Sequence, residues 1–373
     1  MKHLRLAFGV LAATLPLVLS SCSEDHASAK APPETGTPPD GDSGAAPAPT
    51  DAEARGAAVQ AMHDALLVDV VALAQAAEDI QSAAPLPTDR GWSTTEDAAA
   101  IAAMRSAWIR ARTAYEHIEG ALAPLFPDID AAIDARYDDF LVTLGAAGDP
   151  LPFDDQGVTG MHAIERILFI DETPARVVEL EKSFAGYAPA RIPATAEEAA
   201  AFKTRLCKKL VSDTKTLVSE WAPANIDVEI AYSGFVSLVL EQREKVQKAA
   251  TGEEESRYSQ RTMRDLRDNL VGTKTVYAAF RPWLISKSGG TDLDARIAAG
   301  FETLEQAYAT VEGDAIPAPP PTWSAENPSP ADLATPFGKL YAAVEKEVDA
   351  NDASSLVASL GNARELLGLR KLE

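Results

Sequence analysis

Between residues 101 and 122 the apolar side chains recur in alternating steps of three and four: Ile101, Met104, Trp108, Ala111, Tyr115, Ile118 and Leu122. That spacing is one face of a helix, and a stripe this long must be buried against other helices. Ser93-Thr94-Thr95-Glu96 ahead of it reads as a capping box, and Pro124 and Pro127 close it. The same signals recur along the chain. A helix over 51–83 stops before Pro85 and Pro87, a third helix covers about 128–144, and a polar loop at 145–156 leads into a fourth over 157–170. Thr195-Ala196-Glu197-Glu198 opens a helix that reaches about 221, and Asn225 caps one that ends near 252. Further helices are expected near 262–285, 292–311 and 331–350, with a Pro-rich turn at 317–321. No period-2 pattern suggests a strand. The expected fold is all-α: two packed helical bundles, 51–180 and 181–373, meeting between about 170 and 195.

The N-terminus predicts a secreted protein. Lys2 and Arg5 precede an apolar run over 6–19, too short to span a bilayer comfortably and shaped like a signal-peptide core. The run ends in Leu19-Ser20-Ser21-Cys22, the pattern of a lipoprotein signal, which predicts cleavage of residues 1–21 and lipidation of Cys22. Several acyl chains on one residue make a stable anchor, at about 0.8 kcal/mol per buried methylene. A plain secretory signal with an incidental cysteine is the alternative. Residues 22–50 continue as a stretch rich in Pro, Ala, Gly, Ser and Asp with almost no large apolar side chains, which reads as a disordered tether.

Cys22 and Cys207 are the two cysteines, and lipidation uses the first, so stability is expected from core burial and not from a disulfide. The formal charge is −22, becoming −24 once Lys2 and Arg5 leave with the signal. A surface of that sign repels nucleic acid and attracts cations, although acidity also serves solubility alone.

The expected fourth helix carries the most unusual residues. His162 and Glu165 are three apart, on one face, yet Val158, Met161, Ile164, Leu168 and Phe169 surround them. An ionised carboxylate there needs a partner, either a metal ion or a basic or hydrogen-bonding group. A buried structural His-Glu pair is the alternative to a metal. Glu116 and Glu119, at the same spacing beside Tyr115, could meet the pair across a bundle core. Asp134, Asp138 and Asp139 follow on the next helix, and Arg112 and Arg136 are cations that could orient carboxylates. Each acidic residue alone also fits a solvated face.

Four segments then stand in order: Arg112-Thr113-Ala114-Tyr115-Glu116-His117-Ile118-Glu119; Asp128-Ile129-Asp130-Ala131-Ala132-Ile133-Asp134-Ala135-Arg136; Gly160-Met161-His162-Ala163-Ile164-Glu165; and Gly252-Glu253-Glu254-Glu255-Ser256-Arg257-Tyr258-Ser259 followed by Asp265, Leu266 and Asn269. Together they resemble the EfeO/EfeM iron-uptake components and their imelysin-like relatives, the third matching that group's GxHxxE motif. The resemblance implies a two-bundle helical fold with a metal site around His162 and Glu165. Glu116, Glu119 and Asp139, or Asp138, would be further ligands, with Arg112, Tyr115 and Arg136 around them. It implies iron as the metal, or another such as zinc or copper. The implied partners are an iron permease and an Efe-type peroxidase, with attachment by the lipid anchor to the extracytoplasmic side of a membrane, the outer membrane in a Gram-negative cell. Two departures stand out. Gln260 replaces an expected histidine, and residues 23–50 leave no room for the cupredoxin-like domain of some EfeO proteins, so the helical body alone, as in EfeM, is expected.

The competing functions are an imelysin-like metallopeptidase and a non-catalytic scaffold lipoprotein. A zinc peptidase needs firm ligands, an open position and a general base. No H-E-x-x-H helix occurs, and Arg166 stands where the inverted H-x-x-E-H would need histidine. One imidazole among oxygen donors suits iron or another hard cation better than a catalytic zinc, so binding is expected over catalysis.

Overall fold

Thr50 opens the first helix with the reciprocal hydrogen bonds of a capping box, its hydroxyl accepting from the Glu53 N–H while the Glu53 carboxylate accepts from the Thr50 N–H. This is seen in a computed structural model that describes residues 49–371; the expected signal peptide, Cys22 and most of the tether lie outside the described residues. From Thr50 the chain runs as α1 (Asp51–Ala83), α2 (Ala98–Leu125), α3 (Pro127–Asp134), α4 (Tyr137–Leu144), α5 (Gly160–Leu168), α6 (Ala175–Glu181), α7 (Ala196–Ala201), α8 (Cys207–Trp221), α9 (Val228–Lys248), α10 (Thr262–Ile285), α11 (Gly290–Ala309), α12 (Pro330–Leu333), α13 (Pro336–Val348) and α14 (Leu356–Leu366). No strand occurs among the described residues. A π-helical turn, Phe202–Leu206, joins α7 to α8.

Several expected boundaries move for local reasons. The Ser93 hydroxyl does accept from the Glu96 N–H, but it closes a turn; Asp97, held by Arg90 and the Ser93 N–H, precedes α2 instead. Pro124 sits inside the last turn of α2, because a proline so near the C-terminus displaces little of the helix beyond it. The single helix expected over 128–144 is two, because Arg136 is extended and Asp139 accepts its N–H to start α4 afresh. Asp227, not Asn225, caps α9, accepting from Glu229 and Ile230. The short α6 and the last helix, α14, carried no signal that stood out.

Helix α2 is central. It packs on α1, α9 and α10; α1 also packs on α8 and α10; and α10 and α9 lead on to α11, α13 and α14. Helix α8, though beyond residue 181 in sequence, lies against α1. The buried face of α2 carries the expected stripe from Met104 to Leu122, with Trp108, Ile118 and Leu122 inaccessible to solvent. Two glycines let its neighbours approach to backbone distance. A methyl at Gly272 of α10 would lie 2.2 Å from the His117 carbonyl oxygen, and one at Gly234 of α9 would lie 2.1 Å from that of Gly120. The stretch carrying Glu116 and Glu119 is thus gripped by α9 and α10 together.

Replacing Gly272 with Ala should force α2 and α10 apart at a cost of about 1–3 kcal/mol. A thermal melt should show a lowered Tm; an unchanged Tm would mean that the close approach is not required.

Candidate metal centre

Helix α5 is buried at every residue. It begins at Gly160, whose φ of +83° suits glycine, and whose missing side chain makes room for the Ile133 carbonyl oxygen, 2.7 Å from where a methyl would stand. This contact brings the first turn of α5 against the end of α3, so that His162 comes beside Asp134. Three residues on, Glu165 Oε2 lies 2.8 Å from His162 Nδ1, while Glu165 Oε1 accepts from the Ser259 N–H at 2.9 Å and from its hydroxyl at 2.8 Å. With Glu165 accepting at Nδ1, that nitrogen carries a hydrogen, and Nε2 is turned the other way. Glu165 therefore stands behind the ring and orients it, an arrangement common around metal-binding histidines.

His162 Nε2 is buried and makes no contact of good hydrogen-bond geometry, its nearest neighbours being carboxylates with which the protonated ring forms loose ion pairs. It faces Asp134 Oδ1 at 3.3 Å and Glu255 Oε1 at 4.0 Å. These three residues offer ligand atoms within 4.8 Å of one another, arriving from α3, α5 and the irregular segment between α9 and α10. Two carboxylates and one imidazole form a donor set for a hard or borderline cation such as iron.

The remaining sequence candidates surround this trio. Fully buried Glu116 lies between Arg112 and Asn269, with Lys245 Nζ at 3.5 Å. Glu119 accepts from Lys245 at 2.8 Å and from Asn269 at 2.8 Å. Tyr115 donates to Asp130 at 2.7 Å and presents its ring to Arg112. Arg136 approaches the Glu253 carbonyl at 3.5 Å and Asp139 at 3.9 Å. Exposed Asp139 starts α4 and does not reach the trio. Asp138 faces Arg257 at 3.0 Å. Sequence spacing does not mark Glu255, Asp265 or Lys245 as site residues. The signal available was the acidic run 253–255; Glu254 and Glu255 are both buried, and nothing in the run says which of them reaches the histidine.

Five buried carboxylates (Glu116, Glu119, Glu165, Glu255 and Asp265) and the half-buried Asp134 thus lie together with Arg112, Lys245, His162 and, at the edge, Arg136. The titrations reflect the imbalance. Burial opposes a charged His162, yet the Asp134 charge and the bond to Glu165 outweigh it and raise the pKa to about 9. Burial drives Asp265 up to about 7 against the pull of Arg112. Glu116 is also raised by burial, more than Arg112 and Lys245 lower it. Glu255 goes well below its usual range, because Lys245 and Arg112 outweigh burial. A cleft of about 500 Å³ opens onto the cluster: Asp134 and Glu255 line it along with Glu119, Asp130, Asp139, Glu241 and Glu244, against Arg136, Lys245 and Lys248.

A histidine whose folded pKa is raised adds stability that is complete below its unfolded value of 6.5 and is lost as pH rises through about 9. In metal-free protein, the stability difference between wild type and His162→Gln should therefore shrink between those two values. Denaturant titrations at several pH values would read it, and a difference that grows with pH would contradict the assignment of the ring.

Comparison with known proteins gives a consistent family. Residues 59–363 match the family profile described as Imelysin (Peptidase_M75). The iron uptake system component EfeM of Pseudomonas syringae is 25% identical over 209 residues, 56% of this chain and 59% of that protein. EfeO of Yersinia pseudotuberculosis is 27% identical over 216 residues, covering 57% and 46% respectively. EfeO of Escherichia coli is 27% identical over 205 residues, covering 54% and 44%. The matches span about half the length of these relatives. In fold, the chain is similar to a solved protein described as an iron-regulated protein A precursor from Parabacteroides distasonis, with a TM-score of 0.52 at 15% identity, covering 87% of this chain and 97% of that one.

Proposed function

We propose, from the premise that this chain belongs to the imelysin family, that it is a lipid-anchored extracytoplasmic protein that binds iron as cargo for an Efe-type uptake system. The observation that carries the reading is the convergence of His162 Nε2, buried and without a well-formed hydrogen bond, with Asp134 and Glu255. It lies within a cluster whose carboxylates outnumber its cations, and such an excess of buried negative charge is costly until a cation joins it. A di- or trivalent ion would take His162 Nε2, Asp134 and Glu255 as donors, while Glu165 holds the ring and Glu116 and Glu119 lie behind them. The acidic cleft would raise the local concentration of cations at its mouth. The names of the relatives agree: three are iron uptake system components. A membrane permease as recipient, with an Efe-type peroxidase beside it, belongs to the same proposal, as does anchoring through Cys22.

Wild type should bind Fe(II) or Zn(II) in titration calorimetry, and His162→Ala should lose affinity about tenfold or more while keeping its helical circular dichroism. Because His162 carries its proton at neutral pH in the metal-free protein, binding should release close to one proton per ion at pH 7 and weaken as pH falls. Affinity unchanged in His162→Ala would end the metal-site reading, and metal-dependent peptide cleavage would replace it with the peptidase.

The anchor is tested separately. Cys22→Ala should leave the chain unprocessed or soluble, whereas mature wild type should enter the detergent phase on partitioning. A mature Cys22→Ala form that partitions like wild type would refute lipidation.

A further inference from the structure

Buried in α2, the guanidinium of Arg112 is surrounded by four carboxylates. Nη1 donates to Asp134 Oδ1; Nη2 lies against Glu116 Oε1 and 3.3 Å from Glu255 Oε1; and Nε is 3.6 Å from Asp265 Oδ1. Asp134 Oδ1 and Glu255 Oε1 are the same two oxygens that face His162 Nε2. The fit is poor for a buried arginine. Only the Nη1 contact with Asp134 has hydrogen-bond geometry, and Nε and Nη2 are buried without such a partner. Arginine in a permanent structural role usually engages a carboxylate through both prongs of its fork. Here the side chain supplies charge to several oxygens and is matched to only one of them. Lys245 differs: its ammonium is satisfied by Glu119 and Asn269, and it reaches only the other oxygen of Glu255, at 3.9 Å.

We infer that Arg112 is an exchange cation: it occupies the two oxygen donors in the metal-free protein, competes with the incoming ion for them, and retakes them when the ion leaves. This rests on the metal-site reading above and deepens it. A positive charge within about 4 Å of a bound cation raises the energy of the bound state, so Arg112 limits affinity and hastens release. It also keeps the acidic cluster folded when no ion is bound. A site built to retain its ion would have carboxylates free of any such competitor; a site built to pass it on needs one. If Arg112 only oriented the carboxylates, its removal would weaken binding. As an exchange cation, its removal strengthens binding.

The test compares the full-length chain with Arg112→Gln and Arg112→Lys. Zn(II), and Fe(II) without oxygen, are followed by titration calorimetry, chelator-driven release in stopped flow, and thermal melts. Arg112→Gln should bind about tenfold or more tightly and release correspondingly more slowly. Its metal-free form should melt below wild type, and its gain in Tm on adding Zn(II) should exceed that of wild type. Arg112→Lys keeps the buried charge, and so covers the case in which the glutamine variant does not fold. Its single ammonium cannot hold both oxygens, so it should move in the same direction by less. A folded variant that binds with unchanged or weaker affinity, or releases faster, overturns the inference. Wild type that binds neither ion, or whose binding His162→Ala leaves intact, overturns the metal-site reading itself.

Discussion

An excess of negative charge buried where five helices and one irregular segment meet is the constraint around which this fold is arranged. Burying even one unpaired carboxylate costs several kcal/mol. Here Glu116, Glu119, Glu165, Glu255, Asp265 and the half-buried Asp134 lie together with Arg112 and Lys245 as fixed partners and Arg136 at the edge. The protein offsets part of the deficit by retaining protons: the pKa of His162 rises to about 9 and that of Asp265 to about 7. A core selected for stability alone would replace such a cluster with apolar side chains of similar volume, often at no loss. The cluster lies at the foot of an acidic cleft, where the proposed cation-binding role would give it a use.

The scaffold is correspondingly rigid at that point. Gly234 and Gly272 bring α9 and α10 to backbone contact with α2, and the polar side chains crossing those seams are fixed as a result. Asn269 of α10 donates to Glu116 and Glu119 of α2 and accepts from Lys245 and Gln242 of α9, and Gln242 in turn accepts from Tyr308 of α11. The network therefore continues from the site into the packing of the second half of the chain. It is satisfied at nearly every step until it reaches Arg112, where the geometric match fails.

Much of this was legible in the sequence, and the exceptions have physical causes. The period of the apolar stripe in α2 fixes its buried face, and the i, i+3 pair His162 and Glu165 in an apolar helix marks the interior of the site. Periodicity could not reveal the break at Arg136, because Ala135 and Arg136 carry no helix-breaking chemistry; the break comes from tertiary contact and from Asp139 capping α4. Nor could spacing show that Glu165 faces Nδ1 and leaves Nε2 to Asp134 and Glu255. Ring orientation is decided by Ser259, 94 residues away, which takes up the far oxygen of Glu165. Glu255 was hidden for a related reason. In the run 253–255 no helical or strand period applies, and Glu254 and Glu255 are both buried, so nothing local says that Glu255 faces His162 while Glu254 pairs with Arg176.

That irregular segment is itself required by the chemistry. Within a helix, a backbone N–H is already committed to the carbonyl four residues earlier. Ser259 can give Glu165 both its N–H and its hydroxyl only because the chain there is not helical. The cost is local: Gln260 takes a φ of +55°, uncommon for a residue other than glycine. Its side chain holds the turn, donating to the Arg257 carbonyl at 2.7 Å and to Glu254 at 3.1 Å, and accepting from Arg176 at 2.8 Å. Arg176 also pairs with Glu254. Glutamine, with both a donor and an acceptor at its tip, can serve all three partners at once. The segment that supplies Glu255 to one face of the imidazole and supports Glu165 on the other is thus pinned by an amide and a surface arginine. The position of both groups around His162 then depends on hydrogen bonds at the protein surface as well as on the buried core.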